Sequence, residues 1–302
     1  AVMEIRPARS ADTDRVAAFT ADTWDRYEGG DYLARIFPKW AGQTGPDQQT
    51  FVATEDGRPI GVIRAVLLTD HEAWFQGLRV DPEHRGTGVG EALTRAALDW
   101  AREAGATVGR AMVFAWNLKG LGLTRAAGFA EGVEFRWAHP EPDPAATVEG
   151  TVRHDPKRAW SYWQHAPERT ALDGLGLDSE EPWALSEVTL GDLQWAAETE
   201  SVLAVDREGT VAATYRARVV DREQDGETTT WAEYGLAAWA DLAAARDLMA
   251  AIAVDAAGVG ADRTRVLVPE TPRAVGDVAA QRIELAAEPD FVVRADLTAT
   301  RR

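Results

Sequence analysis

One stretch, Ala73 to Glu103, limits what this chain can become. Ala73 to Val80 is apolar and strand-like, Asp81-Pro82 breaks it, and Arg85-Gly86-Thr87-Gly88-Val89-Gly90 leads into a segment with helical spacing. Three glycines in five residues let the backbone approach an anion closely, and successive amide N–H groups at a helix start add partial positive charge toward the same point. The helix follows from its own pattern: Val89, Leu93, Ala96, Ala97 and Trp100 recur on one face, while Glu91, Arg95, Asp99 and Arg102 take the others. Gly105 ends it. A strand that feeds a helix through such a loop predicts an α/β fold with a phosphate-bearing ligand.

The spacing excludes two common phosphate loops. A Walker loop needs Gly, four residues, then Gly-Lys-Ser/Thr, and no such run occurs; the dinucleotide fingerprint needs a third glycine where Glu91 stands. Arg85, Gly88 and Gly90, preceded by Leu78-Arg79-Val80-Asp81-Pro82, resemble instead the acyl-CoA pyrophosphate loop of the GNAT family of N-acetyltransferases. Downstream, a second apolar strand (Arg110 to Trp116) leads to Asn117, a short helix, the pair Gly128-Phe129 and a last strand, Val133 to Trp137. This is similar to the family's second motif in order and spacing. The resemblance implies a mixed twisted sheet flanked by helices.

At 302 residues the chain is long enough for two domains. It has no apolar run near 18 residues, and its start, Glu4-Ile5-Arg6-Pro7, lacks an apolar leader, so no membrane span and a cytoplasmic location are expected. The absence of cysteine excludes disulfides, thiolate metal sites and cysteine nucleophiles. His71, His84, His139, His154 and His165 stand in no ligand spacing, so no structural metal is expected. A net charge of −17, from 49 acids against 32 bases, repels nucleic acid and anionic membranes and attracts cations. The scarcity of lysine fits a cytosol of high salt, although a GC-rich genome produces the same bias.

Taken in order, Glu4 to Pro7 predicts a strand, Ser10-Ala11-Asp12 a helix start, and Phe51 to Thr54 with Ile60 to Leu68 two strands around the turn Glu55-Asp56-Gly57. The aromatic and acidic segment Trp24 to Tyr32 corresponds to the family's acceptor wall and would suit a cationic amine. The Pro-rich run His139 to Ala146 predicts a linker at 139–150, dividing a first domain (1–138) from a second (151–302). The second half repeats the first at an offset of about 150 residues. Its counterpart of the phosphate loop, Leu236-Ala237-Ala238-Trp239-Ala240-Asp241, has no glycine, which predicts a degenerate copy unable to wrap a pyrophosphate. Trp160, Tyr162, Trp163, Trp183 and Trp195 suggest packing between the domains, or the lining of a pocket.

The resemblance implies that acetyl-CoA and an amine bind together and that the amine attacks the thioester directly. Amides of Gly86, Thr87, Gly88, Val89 and Gly90 would hold the pyrophosphate beside Arg85, with the Thr87 hydroxyl able to donate. Backbone groups from Leu78 to Val80 would bind the pantetheine arm and polarise the carbonyl, and Asn117 would bond the arm from the other side. The family's usual base and acid positions are here Gln76 and Thr124, and neither side chain can replace a carboxylate or a phenol. Asp70, His71 and Glu72, in the turn before the strand, are candidates to draw the proton through water. The expected function is acetyl transfer to a small amine or amino acid by a monomer or homodimer. Two alternatives stand beside it: a non-catalytic acyl-CoA sensor, and a protein N-terminal or lysyl acetyltransferase.

Overall fold

The computed structural model describes residues 2–21, 23, 31–43, 45–224 and 226–299. They fall into two compact units: Ala1–Val113, Asn117–Glu131 and Val292–Arg302 in the first, Phe114–Trp116 and Gly132–Phe291 in the second.

The first unit runs β1 (Met3–Pro7), α1 (Thr13–Thr20), α2 (Leu33–Gly42), β2 (Gln48–Glu55), β3 (Arg58–Leu67), β4 (Glu72–Val80), α3 (Val89–Glu103), β5 (Val108–Phe114) and α4 (Leu118–Ala126). Strands β1 to β4 pair antiparallel in sequence order, and β5 joins β4 in parallel, with α3 as the crossover. One face of this sheet is covered by α3, whose Val89, Leu93, Ala97, Leu98 and Ala101 are buried in one core with Ile60, Ile63, Ala65, Ala73 and Phe75. A Cβ on Gly61 would lie 2.8 Å from Leu93 Cδ1, so the glycine lets α3 settle onto β3. The other face carries α1 and α2 through Val16, Phe19, Leu33, Phe37 and Trp40, packed with Val52 and Val62. Continuous burial of the central strands, as of β3 from Pro59 to Val66, and helical periodicity of α3 thus meet in a layered α/β unit covered on both faces, as the sequence predicts.

The second unit contains β6 (Ala130–His139), β7 (Thr151–Arg153), α5 (Pro156–His165), α6 (Pro167–Ala171), β8 (Leu175–Leu177), β9 (Leu185–Glu187), α7 (Leu190–Thr199), β10 (Ser201–Asp206), β11 (Thr210–Gln224), β12 (Glu227–Trp239), α8 (Leu242–Gly258), β13 (Arg263–Pro269), α9 (Pro272–Ala279) and β14 (Glu284–Leu285). Its strand order is β6-β13-β12-β11-β10-β7, with β8 and β9 forming a separate hairpin. The internal repeat is visible in the pairing. β10, β11 and β12 are antiparallel and β12–β13 parallel, as β2, β3, β4 and β4–β5 are. Trp163 is buried, Trp183 lies against Arg222 and Arg265, and Trp195 is exposed.

These units differ from a division at 139–150. The last strand, β15 (Asp290–Asp296), lies beside β5, and from Val292 onward it belongs to the first unit, where Val293, Ala295 and Leu297 enter the core. Strand β6, which follows α4 in the chain, pairs with β13 of the second unit through Phe135 to Ala138. The two terminal strands have changed places, and strand patterning carries no information about which partner a strand takes. The Pro-rich segment is likewise held rather than free. Asp143 N donates to Ala253 O at 3.0 Å, and the amides of Glu149 and Gly150 donate to the Asp247 carboxylate at 2.9 and 3.0 Å.

Candidate functional site

The site begins with a fault in β4. Its register against β3 runs Val62↔Arg79 and then Arg64↔Gln76, so Gly77 and Leu78 together oppose Ile63. This is a β-bulge, and Gly77 meets its backbone demand with φ +70°, a region that side chains other than glycine's rarely enter. On the other edge, parallel pairing with β5 ends at Phe75↔Ala111. Beyond that rung the parallel register stops, while β4 itself continues to Val80.

The glycine-rich loop follows at the end of the same strand. Asp81 caps a single 3-10 turn over Pro82–His84 by accepting from Glu83 N at 3.1 Å, and its charge is paired with Arg15. Arg85 is exposed and donates from Nε to Val80 O at 3.2 Å; the Thr87 hydroxyl donates to His84 O at 2.6 Å. Gly88 is the N-cap of α3 at φ +90° with no side-chain cap, and the first intrahelical bond is Ala92 N to Gly88 O at 3.0 Å. The amides of the first turn are therefore free to meet a ligand, where the helix dipole favours an anion. A Cβ on Gly86 or Gly88 would meet nothing within 4 Å, so the space over the loop is open. Gly90 sits closer in, where a Cβ would approach Leu123 of α4 at 3.1 Å and Val80 at 3.6 Å. Loop, strand end and α4 converge at that point.

The residues expected to handle protons are dispersed. Gln76 lies on the bulge opposite Arg64. Thr124, on α4, donates its hydroxyl to Leu121 O at 3.0 Å. His71 is exposed in the turn before β4, with Nδ1 3.3 Å from the Thr69 hydroxyl. Glu72 departs from its expected setting in a solvated turn: it is the first residue of β4, buried, with Arg110 donating to its carboxylate at 2.6 Å. Gly77 lies five steps along β4 from Glu72, about 17 Å at a rise of about 3.3 Å each. Asn117 is the N-cap of α4, its side-chain oxygen accepting from Gly120 N at 3.0 Å.

Of the expected acceptor wall, Trp24 to Gly30 lies outside the described residues. Its end is described: Asp31 accepts from Arg79 Nε at 2.5 Å, and the Arg79 guanidinium lies 5.8 Å from the Tyr32 ring centroid. The sequence reading passed over Gly77, Trp40 and Arg64, which line the bulge. An isolated glycine within an apolar strand was the available signal.

The second unit shows the same frame with its loop closed. Parallel pairing of β12 with β13 ends at Tyr234↔Val266, and Gly235 and Leu236 oppose Tyr215 as a second bulge. Where the first copy leaves amides free, this one uses its own acids. The Asp241 carboxylate caps α8 by accepting from Ala244 N at 2.8 Å, and Trp239 N donates to Glu168 at 3.4 Å. Arg273 donates to the same Glu168 oxygen at 2.6 Å, and the Trp239 indole N–H donates to Asp277 at 2.8 Å. A carboxylate already stands where an incoming phosphate would need to bind.

Residues 14–129 match the model of the acetyltransferase (GNAT) family. Among curated proteins, streptothricin acetyltransferase of Streptomyces lavendulae is 36% identical over 87 residues, which covers 24% of this chain and 44% of that one. The chain thus spans less than half the length of this relative. Among solved structures, a GCN5-related N-acetyltransferase from Sphaerobacter thermophilus aligns with TM-score 0.60 at 16% identity, over 98% of this chain and 96% of that one. A tandem GNAT protein from the clavulanic acid biosynthesis pathway aligns with TM-score 0.55 at 13% identity, over 99% and 100%. At these identities the likeness is one of fold.

Proposed function

We propose, on the premise that residues 14–129 match the acetyltransferase (GNAT) family, that the first unit binds acetyl-CoA and passes its acetyl group to the amine of a small molecule or amino acid. The observation that carries this reading is the run of amides at the start of α3 with no side-chain cap, in the line of a strand whose parallel register with β5 has stopped. Amides from Gly86 to Gly90 hold the diphosphate, and exposed Arg85 adds a positive charge at the rim. Backbone groups of Leu78 and Val80 take the pantetheine arm as an added strand and polarise the thioester carbonyl. Asn117, whose oxygen is committed to Gly120 N, offers its NH2 from the other side.

The amine attacks the carbonyl carbon, the C–S bond breaks, and the thiolate leaves carrying the electron pair. With a thiol pKa of about 8.5, it needs little acid help, so a threonine at 124 is tolerable. The attacking amine is more demanding. Gln76 cannot accept a proton, and Glu72 is engaged with Arg110, which suits an acceptor that is already weakly basic, such as an α-amino group with a pKa of about 8. His71, one residue before β4 and about 20 Å along the strand from the bulge at a rise of about 3.3 Å per residue, is too far to take the proton through a single water, so an acceptor that gives its proton to solvent fits best. Such an enzyme would work in the cytoplasm.

Calorimetry with acetyl-CoA, then a screen of amines for thiol release, tests the reading. Binding with turnover on a small amine supports it; tight binding without turnover on any amine would favour a sensor, the reading to which Gln76 and Thr124 point.

A further inference from the structure

Trp40, near the end of α2, rests on the bulge of β4. A Cβ on Gly77 would lie 2.6 Å from Trp40 Cζ3 and 2.9 Å from Cη2, so the edge of the indole rests on the glycine's own Cα. The ring is 5% exposed and is held on two further sides. The Arg64 guanidinium stacks on it at 5.0 Å, and Tyr32 meets it edge-on at a centroid separation of 6.2 Å. Arg64 is in turn the register partner of Gln76, the residue before the bulge. The bulge is thus gripped from α2, and its peptide planes, which decide where the Leu78 to Val80 amides point, cannot rotate without moving a buried tryptophan.

We propose that Trp40 and Gly77 form a positioning pair that fixes the bulge amides on the acyl carbonyl. This inference deepens the acetyl-CoA reading and rests on it. Glycine is required at 77 twice over, by φ +70° and by contact with the ring. Trp40 also links the helix after the acceptor segment to the strand that holds the acyl group. The pair touches no reacting atom, and it acts through backbone direction.

Affinities for acetyl-CoA and for free CoA, compared in each variant, isolate this role, because both ligands use the phosphate loop and only one has the carbonyl. Gly77→Ala should lower the preference for acetyl-CoA over CoA by about tenfold, the value of roughly one hydrogen bond, with CoA affinity changed less than about threefold. Adding Trp40→Phe, which withdraws the ring edge but leaves the φ strain of alanine at 77, should restore part of the preference, a coupling that two independent packing defects would not show. Trp40→Phe alone should fold and shift the same ratio in the same direction, and it decides the matter should Gly77→Ala fail to fold. Equal loss of both ligands in Gly77→Ala, an unchanged ratio, or strictly additive effects in the double variant would overturn the proposal. A parent protein that binds neither ligand would instead remove the acetyl-CoA reading itself.

Discussion

Gly88 shows how much one residue can carry. Its φ of +90° lies where a Cβ costs roughly 1–2 kcal/mol, and it caps α3 without offering a side chain to the orphan amides. Gly88→Glu would place both strain and negative charge in the cradle, and CoA affinity should fall at least about 100-fold by calorimetry; an unaltered affinity would mean that the diphosphate lies elsewhere. Glu72 is a second case. With side chains 1% and 6% exposed, Glu72 and Arg110 form a buried ion pair, and Arg110→Met should cost about 3 kcal/mol in denaturant unfolding by leaving a buried carboxylate without its cation, held only by polar donors such as the Thr69 hydroxyl. A loss under 1 kcal/mol would show that Glu72 retains other compensation. The cradle glycines were legible in the sequence because their effect is local to six residues. The burial of Glu72 was not, because its partner is 38 positions away.

Among elements, α3 and α8 differ at their first turn. Both helices follow a strand bulged at one glycine, yet α8 begins on its own Asp241 carboxylate and α3 on nothing. The missing glycines of the second copy could be read directly. Glu168, which comes from α6 to meet Trp239 N, could not. A different element carries a pH dependence. At the start of β15, burial pushes the Asp290 carboxyl up to about 6 from the ordinary 3.8. The folded protein therefore holds this proton more tightly than the unfolded chain does. That contribution is complete below about pH 4 and is lost as pH rises toward 6, by up to about 3 kcal/mol. Asp290→Asn, neutral throughout, should gain stability relative to the parent between pH 4.5 and 7. Denaturant midpoints at both values check this, and a gap independent of pH would contradict it.

On the scale of the whole molecule, one open loop and one closed loop predict one CoA per chain. Titration should give a stoichiometry of one, and Asp241→Ala, which removes the α8 cap at a cost of about 1 kcal/mol, should leave it at one. Two equivalents in the parent would mean that Glu168 and Asp241 yield to phosphate. Within each unit the frame of antiparallel strands and a parallel crossover was readable, because short apolar runs between turns and helical periodicity mark which segments are strands and which are helices. The sequence by itself determined the α/β class, the repeat, and the glycine-rich turn into α3, all properties that neighbouring residues impose on each other. Only the tertiary structure decided that β6 and β15 change places, that the Pro-rich segment is bonded into the second unit, and that Trp40 braces the bulge. Strand exchange preserves every local preference and every buried face, so its outcome is set by pairing between residues far apart in the chain, which no local pattern encodes.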